Sequence, residues 1–215
     1  TGYGYINSGI NVPVTEYRGK LILLVDSTFI TSLNAELKRL QEDLEGDGWS
    51  VLRHNVLRTA TPQHVRSFVQ ADYALDPTNT KAVFIVGHVP VPYSGNINPD
   101  GHPDHLGAWP TDTYYADVNG VWTDVSVTST TASPARTQNN PADGKFDQSV
   151  IPSDLELQVG RADFANLTTF TLTETQLLKN YLDKDHDYRK KVFTVVGIYF
   201  FNTPILFTSC SLCIP

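Results

Sequence analysis

LILLVD, residues 21–26, is a continuous apolar run that ends on an aspartate. A strand exposed on one face alternates apolar and polar residues. A run without alternation is covered on both faces, as in a buried parallel strand. KAVFIVG, residues 81–87, has the same form. Between the two, Thr31 or Ser32 is suited to cap a helix. Leu33, Leu37, Leu40 and Leu44 recur at helical spacing, and Gly46 and Gly48 supply the stop. Residues 49–56 read as a second strand. Thr61-Pro62 opens another helix with proline in its first turn, and Val65, Phe68 and Val69 form its apolar stripe. This is a βαβαβ series, for which right-handed crossovers and a parallel sheet are expected.

Beyond Gly87 the periodicity fades. Residues 88–113 are rich in Pro, Gly, Asn, Asp and His. Residues 114–117 and 121–124 are predicted as short strands, because Asn119-Gly120 between β-formers signals a hairpin. Residues 126–147 read as a surface loop. Residues 155–160 alternate like a strand and lead into Arg161. A helix is predicted from Thr173-Glu174 to about Arg189, with Leu177, Leu178, Tyr181 and Leu182 on one side. The predicted fold is α/β: an open, mainly parallel twisted sheet flanked by helices, in a flavodoxin-like three-layer arrangement. Residues 1–17 are a lead-in, 18–191 the domain, and 192–215 the start of a further strand (192–199) with an atypical tail.

The 215 residues are 40% apolar and 18% charged, which suits one cored domain rather than a disordered chain. The net charge of -7 argues against a nucleic-acid partner, because phosphate binding needs a basic face. Methionine is absent, so a processed chain or a fragment is expected. The two cysteines, Cys210 and Cys213, stand alone near the end of the chain, so the body is expected to use no disulfides. The uncharged tail approaches the length of a membrane span, but Asn202, Thr203 and Pro204 interrupt it, and a membrane association is not expected.

Ligands of open parallel sheets sit beyond the carboxyl ends of the strands. Asp26, His88, Asp112, Tyr115 and Arg161 are expected there. The bland alternative is that Asp26 caps a turn and Arg161 pairs with a carboxylate to hold the loops. His102, Asp104 and His105, with His88 as a further ligand, could bind a metal, since imidazoles and a carboxylate suit zinc. No helix fixes their spacing, and a hydrogen-bonded loop is the simpler reading. Asp143 and Asp147 lie at an Asp-Gly turn with part of a calcium loop, so calcium is a candidate cofactor there, and a plain Asp-Gly turn is the simpler reading. Cys210-Ser-Leu-Cys213 has redox spacing but nothing nearby to lower a thiol pKa. Neither a Gly-x-Ser-x-Gly elbow, a P-loop nor a dinucleotide fingerprint occurs.

Three pieces in order carry a resemblance. They are Val83-Phe84-Ile85-Val86-Gly87-His88-Val89-Pro90, then Asp112-Thr113-Tyr114-Tyr115-Ala116-Asp117, then Asp154 through Gly160-Arg161. Together they resemble the gingipain-type cysteine peptidases, peptidase family C25, whose fold is caspase-like. The resemblance covers residues 18–191 and matches the first of that family's two subdomains. It implies Asp112, Tyr115, Gly160 and Arg161 as signature positions, and none of them as catalytic. The family's catalytic His, in a Gly-His-Gly turn, and its Cys lie further along and are not matched here. The resemblance implies a secreted or cell-surface endopeptidase as the parent, acting on peptide or protein substrates, with this chain inactive alone. The alternatives are a metal-dependent hydrolase built on His88, His102, Asp104 and His105, and a non-catalytic peptidase-like interaction domain.

Overall fold

The computed structural model describes residues 17–190 and the pairs 199–200 and 203–204. Strand β1 spans Gly19–Asp26, β2 Trp49–Val56, β3 Thr80–Val86 and β6 Gln158–Ala162. They form one parallel sheet in the order β2-β1-β3-β6. Helix α1 is Asn34–Gly46, α2 is Pro62–Leu75 and α4 is Glu174–Lys190. The expected open three-layer α/β architecture is present.

The unalternating run of β1 has the reason anticipated for it. Ile22 and Leu24 face one side, with Val56, Val83 and Ile85, and meet Val65 and Val69 of α2. Leu21, Leu23 and Val25 face the other, with Ala82 and Val86, and meet Leu37, Leu40 and Leu44 of α1 and Leu178 and Leu182 of α4. Fully burying one such aliphatic side chain contributes about 1.5–3 kcal/mol. Two cores on one strand make β1 the keystone of the sheet.

Helix starts differ in how far local chemistry decides them. Thr61 caps α2, its Oγ1 accepting the His64 N–H at 3.2 Å, with Pro62 in the first turn, as predicted. Helix α1 has no hydroxyl cap from Thr31 or Ser32; its cap position is the buried Leu33. The backbone is already turning before it, since the Leu33 N–H donates to the Phe29 carbonyl at 2.9 Å.

The predicted hairpin over 114–124 does not form. Thr113–Ala116 is instead a short helix, α3. Tyr114 stacks on Phe146 at 4.3 Å and meets Trp122 edge-on at 5.3 Å, so its ring is needed in the core above α2. Gly120 serves close approach rather than a two-residue turn: a Cβ there would lie 2.0 Å from the Asp117 carboxylate. The hairpin of this region is β4, Tyr93–Ile97, paired antiparallel with β5, Gly107–Pro110. It falls in the segment that showed no periodicity.

Among the described residues no helix is long and apolar enough to cross a membrane. Most of the expected strand over 192–199, the start of the tail, lies outside the described residues, as do Cys210 and Cys213. The described pairs Tyr199–Phe200 and Thr203–Pro204 form a two-residue antiparallel ladder, β7–β8.

Candidate functional site

Each core strand delivers its last side chains to the same rim, the carboxyl end of the parallel sheet. Asp26 ends β1, Arg58 follows β2, His88 follows β3, and Arg161 and Asp163 come with β6. The rim carries two polar knots.

The first is built around Arg161, whose side chain is 13% exposed. Its Nε and Nη2 donate to the two oxygens of Asp112, at 2.8 and 2.7 Å. Nη1 donates to the Val89 carbonyl at 2.7 Å, and Nη2 also reaches the Pro90 carbonyl at 3.3 Å. The buried Tyr115 hydroxyl donates to the same Pro90 carbonyl at 2.6 Å. Burial pushes the Tyr115 phenol far above its ordinary range, so it remains a neutral donor. A planar fork that grips a carboxylate and two carbonyls at once is chemistry specific to arginine. Asp112, Tyr115 and Arg161 therefore come together as expected, in a holding role. Gly160 lies beside Phe84 in the ladder, and nothing within 4 Å accounts for a glycine there.

The second knot is built around Asp26, which is fully buried. One oxygen accepts the Thr28 N–H at 2.9 Å; the other accepts the His88 N–H at 3.0 Å and Arg58 Nε at 2.6 Å. Arg58 then grips both oxygens of Glu174, at 2.6 and 3.2 Å, in the first turn of α4. An acidic side chain at that end also favours the helix dipole. Gly87 makes the knot sterically feasible. Its φ is +82°, and a Cβ would lie 2.6 Å from Asp26 Cβ and 2.9 Å from the Phe29 ring. Arg58 and Glu174 were missed in the sequence. Arg58 was findable, because it follows β2 as His88 follows β3.

His88 sits between the knots. Its Nδ1 is 2.8 Å from Asp163 Oδ2, and the imidazole is 35% exposed. A carboxylate-oriented imidazole can take or give a proton. Among the described residues, no hydroxyl or thiol hydrogen-bonds its Nε2.

The expected metal set does not assemble as predicted. Asp100, His102 and His105 converge, with one ligand atom each within 4.8 Å of the others. Asp104 stands apart from that group, its carboxylate 3.9 Å from His105 Nε2, and His88 is engaged with Asp163 instead. The hydrogen bond from His105 holds the Asp100 carboxyl below its ordinary range.

The two aspartates of the calcium candidate are each committed to the loop backbone. Burial alone would raise the Asp147 pKa, but N–H groups of Val127, Val125 and Ser126 and the Thr123 hydroxyl outweigh it and hold the group well below its ordinary value. Asp143 accepts the Asn140 and Lys145 N–H groups and pairs with the Lys145 ammonium at 2.8 Å. Both carboxylates are thus held by donors of their own loop, and Asp143 by an ammonium as well.

A concavity of about 730 Å³ opens at the opposite end of the sheet, by Arg18, Trp49, Lys81 and residues 155–159. Comparison of the chain with family models, with curated proteins and with solved structures finds no match.

Proposed function

We propose that the chain is the N-terminal, scaffolding part of a gingipain-like cysteine endopeptidase, secreted or held at the cell surface, and does not cleave peptides alone. The observation that carries this reading is the Arg161 knot. The three pieces of sequence behind the resemblance, residues 83–90, 112–117 and 154–161, are far apart in the chain. They meet through Arg161, Asp112, Tyr115 and the Val89 and Pro90 carbonyls. A shared holding device gives a physical reason for those pieces to occur together.

In this reading the chemistry belongs to a downstream subdomain. There an imidazole-activated thiolate attacks the peptide carbonyl, and backbone donors hold the oxyanion. Residues 17–190 contain no cysteine. The metal-dependent hydrolase has less support, because His88 is tied to Asp163 rather than to His102 and His105.

The test is to follow the reading frame past residue 191, express the longer protein and assay fluorogenic peptides with and without iodoacetamide. The expected outcome is a Gly-His-Gly turn, a Cys after the next strand, and peptide hydrolysis abolished by alkylation. A long extension with neither motif removes the peptidase reading and leaves a non-catalytic interaction domain.

A further inference from the structure

The loop joining β4 to β5 is shaped before any ligand arrives. The Gly101 N–H donates to the Asn98 carbonyl at 2.9 Å, and the His105 N–H to the His102 carbonyl at 3.0 Å. Gly101 has φ +78°, which lets the chain reverse between Asp100 and His102. The Trp109 indole donates to the Ile97 and His105 carbonyls, both at 3.1 Å, and so ties the base of the loop. Much of the backbone ordering entropy of this loop is thus met by the fold.

We propose that Asp100, His102 and His105 bind one divalent ion of the zinc class, which pins the hairpin tip. Asp100 Oδ2 faces the Nδ1 atoms of both imidazoles: it is hydrogen-bonded to that of His105 and 4.0 Å from that of His102. Zinc bonds of about 2.0–2.2 Å place tetrahedral ligand atoms about 3.3 Å apart. Side-chain adjustments of about an ångström or less close the set, and the ion takes the place of the hydrogen bond between Asp100 and His105. Two imidazole nitrogens select zinc over calcium or magnesium, which take oxygen cages. Asp104, beyond the far nitrogen of His105, takes the place of the outer carboxylate that orients a metal-bound imidazole. The fourth position opens to solvent. The site is independent of the peptidase reading, since the Arg161 knot contributes nothing to it.

Zinc chloride titrated into the full chain, with Cys210 and Cys213 alkylated, tests the site by calorimetry and thermal unfolding. One zinc per chain is expected, bound at least about tenfold more tightly than calcium, with a raised melting temperature. His102→Ala and His105→Ala should each weaken binding about 10–100-fold. Asp104→Asn should weaken it less, and His64→Ala, on α2, not at all. His102 is 69% exposed, so its replacement leaves packing intact, and circular dichroism checks folding of every variant. The proposal is overturned by absence of saturable zinc binding, by calcium binding as tight, or by zinc binding that His102→Ala and His105→Ala leave unchanged.

Discussion

Asp147 organises a turn with one carboxylate, and its environment makes the turn sensitive to acid. Hydrogen bonds to a charged group contribute about 1.5–3 kcal/mol, and exposure reduces that here. Asp147→Ala is expected to destabilise the protein by about 1–2 kcal/mol, read from urea midpoints. The folded pKa lies below the ordinary value of 3.8, so the contribution is complete above that value and is lost as pH falls toward the depressed one. Wild type and variant should therefore differ by a constant amount from about pH 5 upward and converge in stronger acid. A gap that stays constant into strong acid would rule out the carboxylate as its source. The sequence marked an Asp-Gly turn at Asp143 and Asp147 and left calcium as a candidate beside it. What it lacked was the partners: the N–H groups that fill Asp147 come from residues 125–127, and only the folded loop brings them there.

At the scale of elements, α1 and α4 run side by side in the same direction. Lys179 reaches Glu36 at 3.1 Å and Asp183 at 2.7 Å, and Asp183 also takes Arg39. His186 meets Asp43 at 2.7 Å, and Arg189 meets Asp47 at 3.0 Å. Partly exposed pairs of this kind are individually worth about 1 kcal/mol or less, and salt screens them. Hydrogen exchange at about 0.05 M and about 1 M sodium chloride should show α4 losing protection in high salt, and α2 much less. Equal behaviour of the two helices would mean that Leu178 and Leu182 hold α4 without help. Helix α4 was legible because its leucines repeat. The register of β6 was not, and the strand begins at Gln158 rather than at Leu155. Glu156 explains the shift. Its carboxylate takes the Val118 N–H at 2.7 Å, and the Glu156 and Leu157 amides both donate to the Ala116 carbonyl. These residues alternate like a strand while they bind the end of α3.

Over the whole molecule, the Arg161 knot ties β6 to the loop after β3 and to α3. An Arg161–Asp112 double-mutant cycle with alanine should give a coupling energy of about 1–3 kcal/mol, and Arg161→Lys should recover less than half of the loss. Additive losses would show that the two side chains act separately. The layers were legible from β1 and β3 because burial on both faces leaves its mark on every residue. The rim was legible in part: the strand-end rule finds Asp26, His88 and Arg161. It gives no sign that Arg58 reaches Glu174, since that contact depends on where α4 begins.

Strands β3 and β6 are neighbours in the sheet, yet residues 87–157 lie between them in the chain. Bringing distant segments together has an entropic cost that local βαβ contacts avoid. The sheet should therefore assemble in sequence order, with β1, β2 and β3 in place at the rate-limiting barrier and β6 arriving after it. Ile22→Val should slow refolding, whereas Val159→Ala should hasten unfolding and leave refolding unchanged. A nascent chain would carry three strands with an open flank until the fourth was made, and that interval is when it most needs shielding from other chains.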